Sequence, residues 1–226
     1  MMNKCTICNK IIVNQNQLYC TDKCKDQEKI DYFNDAFVLI SNDEGGYANN
    51  SDDHGGETYA GISRKFNPSW DGWITIDAMK NIYGVKDDLF EKSLTTAGIK
   101  SKVMDFYKKS YWDLLHCADI ESKEISLKLF DMAVNLGIPR AVNILQTALN
   151  SMSHPLGYEI AIDGIIGSIT VKLINEVCIK EWELLLNLIT IQQGNLYIML
   201  AKNNKNQREF LRGWINRLDM KVELFK

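Results

Sequence analysis

Only three prolines interrupt the 226 residues, and glycine is limited to 14. That scarcity excludes collagen-like and proline-rich low-complexity structure and leaves little room for disorder. Positive charge is also in short supply. The 26 lysines and arginines face 29 acids, for a formal net charge of −3. This argues against a generally basic nucleic-acid-binding surface and leaves room only for a local patch. The three histidines, His54, His116 and His154, are scattered and form neither a metal-ligand nor a Ser-His-Asp pattern. The most apolar run, "ELLLNLITI", is too short to span a bilayer and carries Glu183 and Asn187. The start, "MMNKCTICNK", has no apolar core and no small-residue cleavage site, so no secretory signal and a cytoplasmic site of synthesis are expected. Alternating strand series and internal repeats are missing too. What remains, at 46% hydrophobic residues, suits one globular domain of ordinary size or one domain plus a small appendage.

Cysteine, by contrast, is concentrated. Four of the six fall in the first 24 residues as Cys5, Cys8, Cys20 and Cys24, spaced C-x2-C-x11-C-x3-C. Two close pairs separated by a loop are what a tetrahedral thiolate site needs, so a structural zinc is expected. A segment this short buries no core, and metal binding would supply its folding free energy. The alternative is a set of reduced surface thiols. Five lysines against three acids in the first thirty residues is too slight an excess to make the module a nucleic-acid binder, which leaves a protein partner as its other possible contact. Cys117 and Cys178 stand alone among apolar neighbours and read as packing residues.

The rest reads as helices. Ile30, Phe33, Phe37, Ile40 and Glu44 recur at steps of three and four, which predicts one face of a helix beginning near Glu28 and ended by Gly45. A loop-rich stretch with a short β-hairpin follows. Further helices are expected over "TIDAMKNIYG", "SLTTAGIKSKVMDFYKKSYWDLL", "SLKLFDMAVNLG" closed by Gly137, and "PRAVNILQTALN" with Pro139 near its start. Ser168 reads as the N-cap of another helix, with a long helix over Trp182–Leu200 and a last one over Phe210–Phe225. The expected class is mainly α, organised as a zinc-ribbon-like module (1–27), a catalytic region (28–128) and a C-terminal helical region (129–226).

The stretch "SNDEGGYANNSDDHGGETYAGIS" carries the chemistry. Glu44 extends the buried face four residues past Ile40 and sits at a helix C-terminus, where the macrodipole disfavours an anion. Both effects favour the protonated carboxyl, as a general acid requires. Asp53 lies nine residues on among Asn49, Asn50, Ser51 and His54, a polar setting that keeps it ionised. Two carboxyls in opposed environments are what glycoside hydrolysis needs. The pairs Gly45-Gly46 and Gly55-Gly56 permit tight turns and close approach to a ligand, and Thr58 offers a hydroxyl to hold water. Turn chemistry alone is the competing reading for Asp52, Asp53 and Glu57. An EF-hand is rejected, because His54 stands where its glycine belongs and no Glu closes the loop. Tyr47, Tyr59, Trp70 and Trp73 are candidates for stacking on sugars, with core packing as the alternative. Asn135 in "DMAVNLG" could face an N-acetyl group, although packing explains that segment without it.

"EGGYANNSDDHGGETYAGIS" resembles the signature of glycoside hydrolase family 108, N-acetylmuramidases of bacteria and phages. "LFDMAVNLGIPRAVNILQTALN", "IDGIIGSITVKLIN" and "FLRGWINRL" are similar to the peptidoglycan-binding region that follows in that family, so the likeness runs from about Tyr32 to Leu218 in order. The resemblance implies a lysozyme-like helical fold, Glu44 as general acid, and peptidoglycan glycan strands as substrate. Asp53 and Thr58 are similar to the second and third members of the Glu–Asp–Thr layout of phage-type lysozymes, with Thr58 five residues after Asp53 where those proteins have six. "YCTDKCK" is similar to the second knuckle of treble-clef-like zinc fingers. The expected activity is hydrolysis of the bond between N-acetylmuramic acid and N-acetylglucosamine, in a phage endolysin. Release by a pore, a dedicated secretion route or a virion would bring it to the wall. A lytic transglycosylase and an inactive wall-binding or virion protein are the rival expectations.

Overall fold

Helix α1 (Asp22–Ser41) opens the computed structural model, which describes residues 22–41, 46–49, 56–85, 88–152 and 159–218, with backbone alone for 22–31 and 88. The helix begins six residues before the expected start near Glu28, because "DKCKDQ" is polar and carries no apolar stripe to announce it. Cys24 therefore lies in the first turn of α1, whereas Cys5, Cys8 and Cys20 lie outside the described residues.

Three short strands follow: β1 (Tyr47–Asn49), β2 (Glu57–Tyr59) and β3 (Ile62–Ser63). They form one antiparallel sheet in the order β1-β2-β3, with Tyr47 opposite Tyr59 and Thr58 opposite Ser63. The expected hairpin thus gains a third strand. Ala60 (φ 45) and Gly61 (φ 74) make the tight β2–β3 turn, which needs two residues of positive φ.

Next come α2 (Gly72–Tyr83), α3 (Asp88–Thr96) and α4 (Ile99–Tyr107), the last continuing into a π-helical turn over Lys108–Trp112. The single helix expected over "SLTTAGIKSKVMDFYKKSYWDLL" is broken. Gly98 takes φ 73, a conformation no helix interior accepts, and divides α3 from α4. Gly72 is needed for a different reason: a Cβ there would meet the buried Trp70 indole at 2.2 Å.

Chain contacts divide the molecule into two compact units. The first, Asn34–Ser110, holds the sheet. Its core combines Ala36, Phe37 and Ile40 of α1 with Ile62, Trp73, Ile76, Leu94 and Val103, all buried. Aromatic edges lock it: Trp70 meets Trp73 at 5.1 Å and Phe106 meets Tyr107 at 5.4 Å between ring centroids.

The second unit comprises the described residues up to Phe33 and from Tyr111 on, and is helical. It holds α5 (Lys123–Leu136), α6 (Ile138–Asn150), α7 (Ser168–Asn203) and α8 (Leu211–Asn216). Ser122 caps α5 by accepting the Ile125 N–H, and Gly137 closes it as expected. Pro139 lies in the first turn of α6. Phe33, Trp112 and Phe130 pack edge to face at 5.5 to 6.2 Å. The buried Gln146 amide fastens the loop before α7, donating to Asp163 Oδ1 at 2.8 Å and accepting the Gly164 N–H at 3.0 Å.

Ser168 is the first residue of α7 rather than its cap; Gly167 holds that place and offers no side chain. The helix expected over Trp182–Leu200 is the second part of α7, joined to the first through a kink at Glu181 (φ −135). The "ELLLNLITI" run, too short by itself, thus belongs to a 36-residue helix long and apolar enough by composition to cross a membrane. A third of its most apolar window is buried within the protein, including Leu185 and Ile189. The last expected helix, Phe210–Phe225, is α-helical only over Leu211–Asn216 among the described residues and is preceded by a 3-10 turn over Lys205–Phe210. Cys117 is fully buried and Cys178 partly so. Burial pushes the Cys178 thiol up to about 12 and Cys117 higher still than its ordinary value, so both are packing residues.

Candidate active site

A cavity of about 320 Å³ opens in the sheet-bearing unit, between the last turn of α1, the β2–β3 turn and α4. Its floor is apolar, from Phe37, Ile40, Ile99 and Val103. Ser41, Tyr59, Thr95 and Lys100 add polar groups to its wall. This mixture suits one face of a sugar ring with its hydroxyl and acetamido substituents.

The chain meets this cavity on both sides of the segment that contains Glu44. Before it, Ser41 ends α1 and lines the cavity. After it, Gly46 accepts the Ala60 N–H at 3.4 Å, and Ala60 also lines the cavity. Glu44 is thus three residues from one wall residue and two residues from a residue bonded to another. Residues 42–45 and 50–55, with Glu44 and Asp53 among them, lie outside the described residues.

The remaining candidates divide between the units. Tyr47, Thr58 and Tyr59 come together on β1 and β2, where Tyr47 pairs with Tyr59 and Ala48 with Thr58. Thr58 is half-buried. Tyr59 is buried, stacks on Trp70 at 6.5 Å and reaches the cavity wall. Burial, with the nearby Glu91 carboxylate, pushes its phenol up to about 12, so it stays a neutral hydrogen-bonding group. Trp70 and Trp73 are core residues, each donating its indole N–H to a backbone carbonyl, Lys102 and Asn67 respectively. Asn135 lies in α5 of the helical unit. Its amide donates to the Asp131 carbonyl at 2.8 Å and its oxygen accepts from Arg217.

The sheet-bearing unit also holds a charge network that local sequence reading missed. Glu57 is only 14% exposed and accepts from Lys80 at 2.7 Å, Arg64 at 2.7 Å and the Tyr47 hydroxyl at 3.0 Å. Arg64 also grips Asp77 through both of its terminal nitrogens and lies 5.0 Å over the Trp73 ring. Burial alone would raise the Glu57 carboxyl, but the three donors outweigh it and hold it below its ordinary value of 4.5. Glu57 is therefore ionised at neutral pH. It anchors β2 to α2 and does not donate protons. The available signal was the pair Asp77 and Lys80, one turn apart on α2.

A larger hollow of about 560 Å³ lies on the helical unit, lined by His116, Asp119, Asn175 and Glu176 among others. Its His116–Asp119 pair, 3.1 Å apart, is 51% and 62% exposed. Among the described residues no group of three His, Cys, Asp or Glu could hold a metal ion.

No curated protein matches the chain. Among solved structures, that of Brucella abortus SagA aligns with 84% of this chain and 91% of its own length, at 24% identity and a TM-score of 0.58, which shows a shared fold. Residues 37–137 match the family model of glycosyl hydrolase 108, and residues 140–219 match that of the predicted peptidoglycan domain. The chain thus carries, in order, a region that matches glycosyl hydrolase 108 and one that matches the predicted peptidoglycan domain, and the two matches together support a peptidoglycan hydrolase.

Proposed function

We propose that the protein is an N-acetylmuramidase that hydrolyses the β-1,4 bond between N-acetylmuramic acid and N-acetylglucosamine. Glu44 protonates the leaving oxygen, and Asp53, with Thr58 nearby in sequence, positions or activates the water, with inversion at the sugar. The observation that carries this reading is the anchoring of both flanks of residues 42–45 to one cavity, within the region matching glycosyl hydrolase 108. Tyr59 supplies a wall of that cavity. The setting we favour is a phage endolysin.

Mass spectrometry of muropeptides released from purified sacculi tests the reaction type. Hydrolysis yields reducing N-acetylmuramic acid ends. Anhydro ends would make the protein a lytic transglycosylase, and binding without release would make it a wall-binding protein.

A structural zinc on Cys5, Cys8, Cys20 and Cys24 completes the proposal. The paired spacing C-x2-C-x11-C-x3-C supports this assignment, and Cys24 stands in the first turn of α1. The ion would hold the first 27 residues together and takes no part in bond cleavage. Elemental analysis should find one zinc per chain, lost in Cys24→Ser; metal-free protein from zinc-replete cells would overturn the assignment.

A further inference from the structure

We infer that Lys100 is a specificity-determining residue of the cavity in the sheet-bearing unit, holding a carboxylate on the muramic acid side of the glycan; the choice of sugar rests on the muramidase reading. Among the described residues that line this cavity, Lys100 alone carries a formal charge. It is exposed and stands in the first turn of α4, beside the buried Ile99. Among the described residues no carboxylate pairs with it, whereas Arg64, Lys80 and Lys102 each hold one.

The hydroxyl groups of the wall are already committed as donors. Ser41 donates to the Val38 carbonyl at 3.2 Å, Thr95 to the Glu91 carbonyl at 3.1 Å and Tyr107 to the Ala60 carbonyl at 2.9 Å. A hydroxyl has one proton to give, so these three oxygens are left with lone pairs. They can accept from the hydroxyl and acetamido N–H groups of a sugar, and they have no proton for a carboxylate. The Lys100 ammonium does. Gly98 caps α4 without a side chain to accept the first N–H groups, so the helix start adds positive potential beside Lys100.

The cavity therefore sorts ligands by charge. N-acetylmuramic acid differs from N-acetylglucosamine by one substituent, a lactyl ether with a methyl group and a carboxyl group. That ether matches the neighbours Ile99 and Lys100, with the methyl group on the aliphatic side chain and the carboxylate on the ammonium. In an intact strand the lactyl carboxyl is joined to the stem peptide by an amide, and the anion is then one of the peptide's own carboxylates. Both sources present the same chemistry to Lys100.

Isothermal titration of the full chain with three sugars tests the assignment. They are diacetylchitobiose, which is neutral, the disaccharide of N-acetylglucosamine linked to a terminal N-acetylmuramic acid with its lactyl carboxylate free, and the same disaccharide with its stem peptide. None contains the bond the proposed reaction cleaves, so binding is read without turnover. The wild type is expected to bind at least one of the acidic sugars about fivefold more tightly than the neutral one, with the preference fading at high salt. Tighter binding of the peptide-free disaccharide assigns the lactyl carboxylate to Lys100; tighter binding of the other assigns a stem-peptide carboxylate. Lys100→Gln is expected to abolish the preference and leave the affinity for diacetylchitobiose unchanged, and Lys100→Arg to keep the preference. Equal affinity of the wild type for all three sugars, no binding of any of them, or an equal loss for all three in Lys100→Gln would overturn the inference. Release of reducing ends from sacculi is scored separately. Release without a charge preference removes Lys100 and leaves the muramidase reading; a Lys100-dependent preference without release does the reverse.

Discussion

Glu44→Gln protein should leave a suspension of bacterial walls turbid while the wild type clears it. The substitution preserves shape and hydrogen-bonding size and removes only the transferable proton. General acid catalysis contributes on the order of a hundred- to ten-thousand-fold, so the variant drops below the detection limit of a turbidity assay. In the proposed mechanism Glu44, four residues after the cavity-lining Ile40 in sequence, is the group that must carry that proton. The fold should not change, so near-UV circular dichroism and the unfolding transition should match the wild type. Clearing at the normal rate by a folded Glu44→Gln variant would remove Glu44 from the mechanism.

The second large effect is on stability and has a defined pH window. Glu57→Gln keeps the side-chain shape but leaves the Lys80 and Arg64 cations without their carboxylate. Charge-assisted hydrogen bonds are each worth about 1.5–3 kcal/mol. Because Arg64 and Lys80 are 32% and 27% exposed, water compensates part of the loss. The expected cost at pH 7 is about 2 kcal/mol, read by urea denaturation. The folded-state pKa of Glu57 lies below its ordinary 4.5. Its contribution is therefore fully present above that value and lost as pH falls through the folded-state pKa. Wild type and variant should converge in stability in that acidic range. A gap that stays equally wide however far the pH falls before unfolding would mean that the carboxylate is not its source. Glu57→Gln should still lyse walls, in contrast to Glu44→Gln, because an ionised anchor is not a proton donor.

Sequence patterns of helical period were informative where apolar residues line one face. Phe33, Phe37 and Ile40 are buried as their spacing required, and α5 ends at Gly137 because that glycine takes φ 84. Charge masked the start of α1, since "DKCKDQ" has no stripe to read. Periodicity also could not see that Gly98 would take φ 73 and cut a helix in two. The kink at Glu181 and the cap at Gly167 are backbone choices made by packing, and side-chain order does not report them.

The proposed site rests on sequence in a different way: the acid, its glycines and the following hydroxyl residues are close together and read as a motif, while Glu44 and Asp53 lie outside the described residues. The clamp on Glu57 could not be read this way, because its partners Arg64, Asp77 and Lys80 come from a turn and a helix that meet only in three dimensions. Tyr107 was invisible for the same reason, lying 47 residues from the carbonyl it holds. Trp70 and Trp73 show the converse. Their chemistry allowed stacking on a sugar, and the fold spends them on the core.

A crystal structure of the Glu44→Gln variant with a bound muropeptide spanning the scissile bond tests the account most directly. The account predicts the sugar against Ile40, Tyr59 and Val103, with the residue-44 amide within hydrogen-bond distance of the glycosidic oxygen. A glycan seated elsewhere, or that amide turned away from it, would contradict the account.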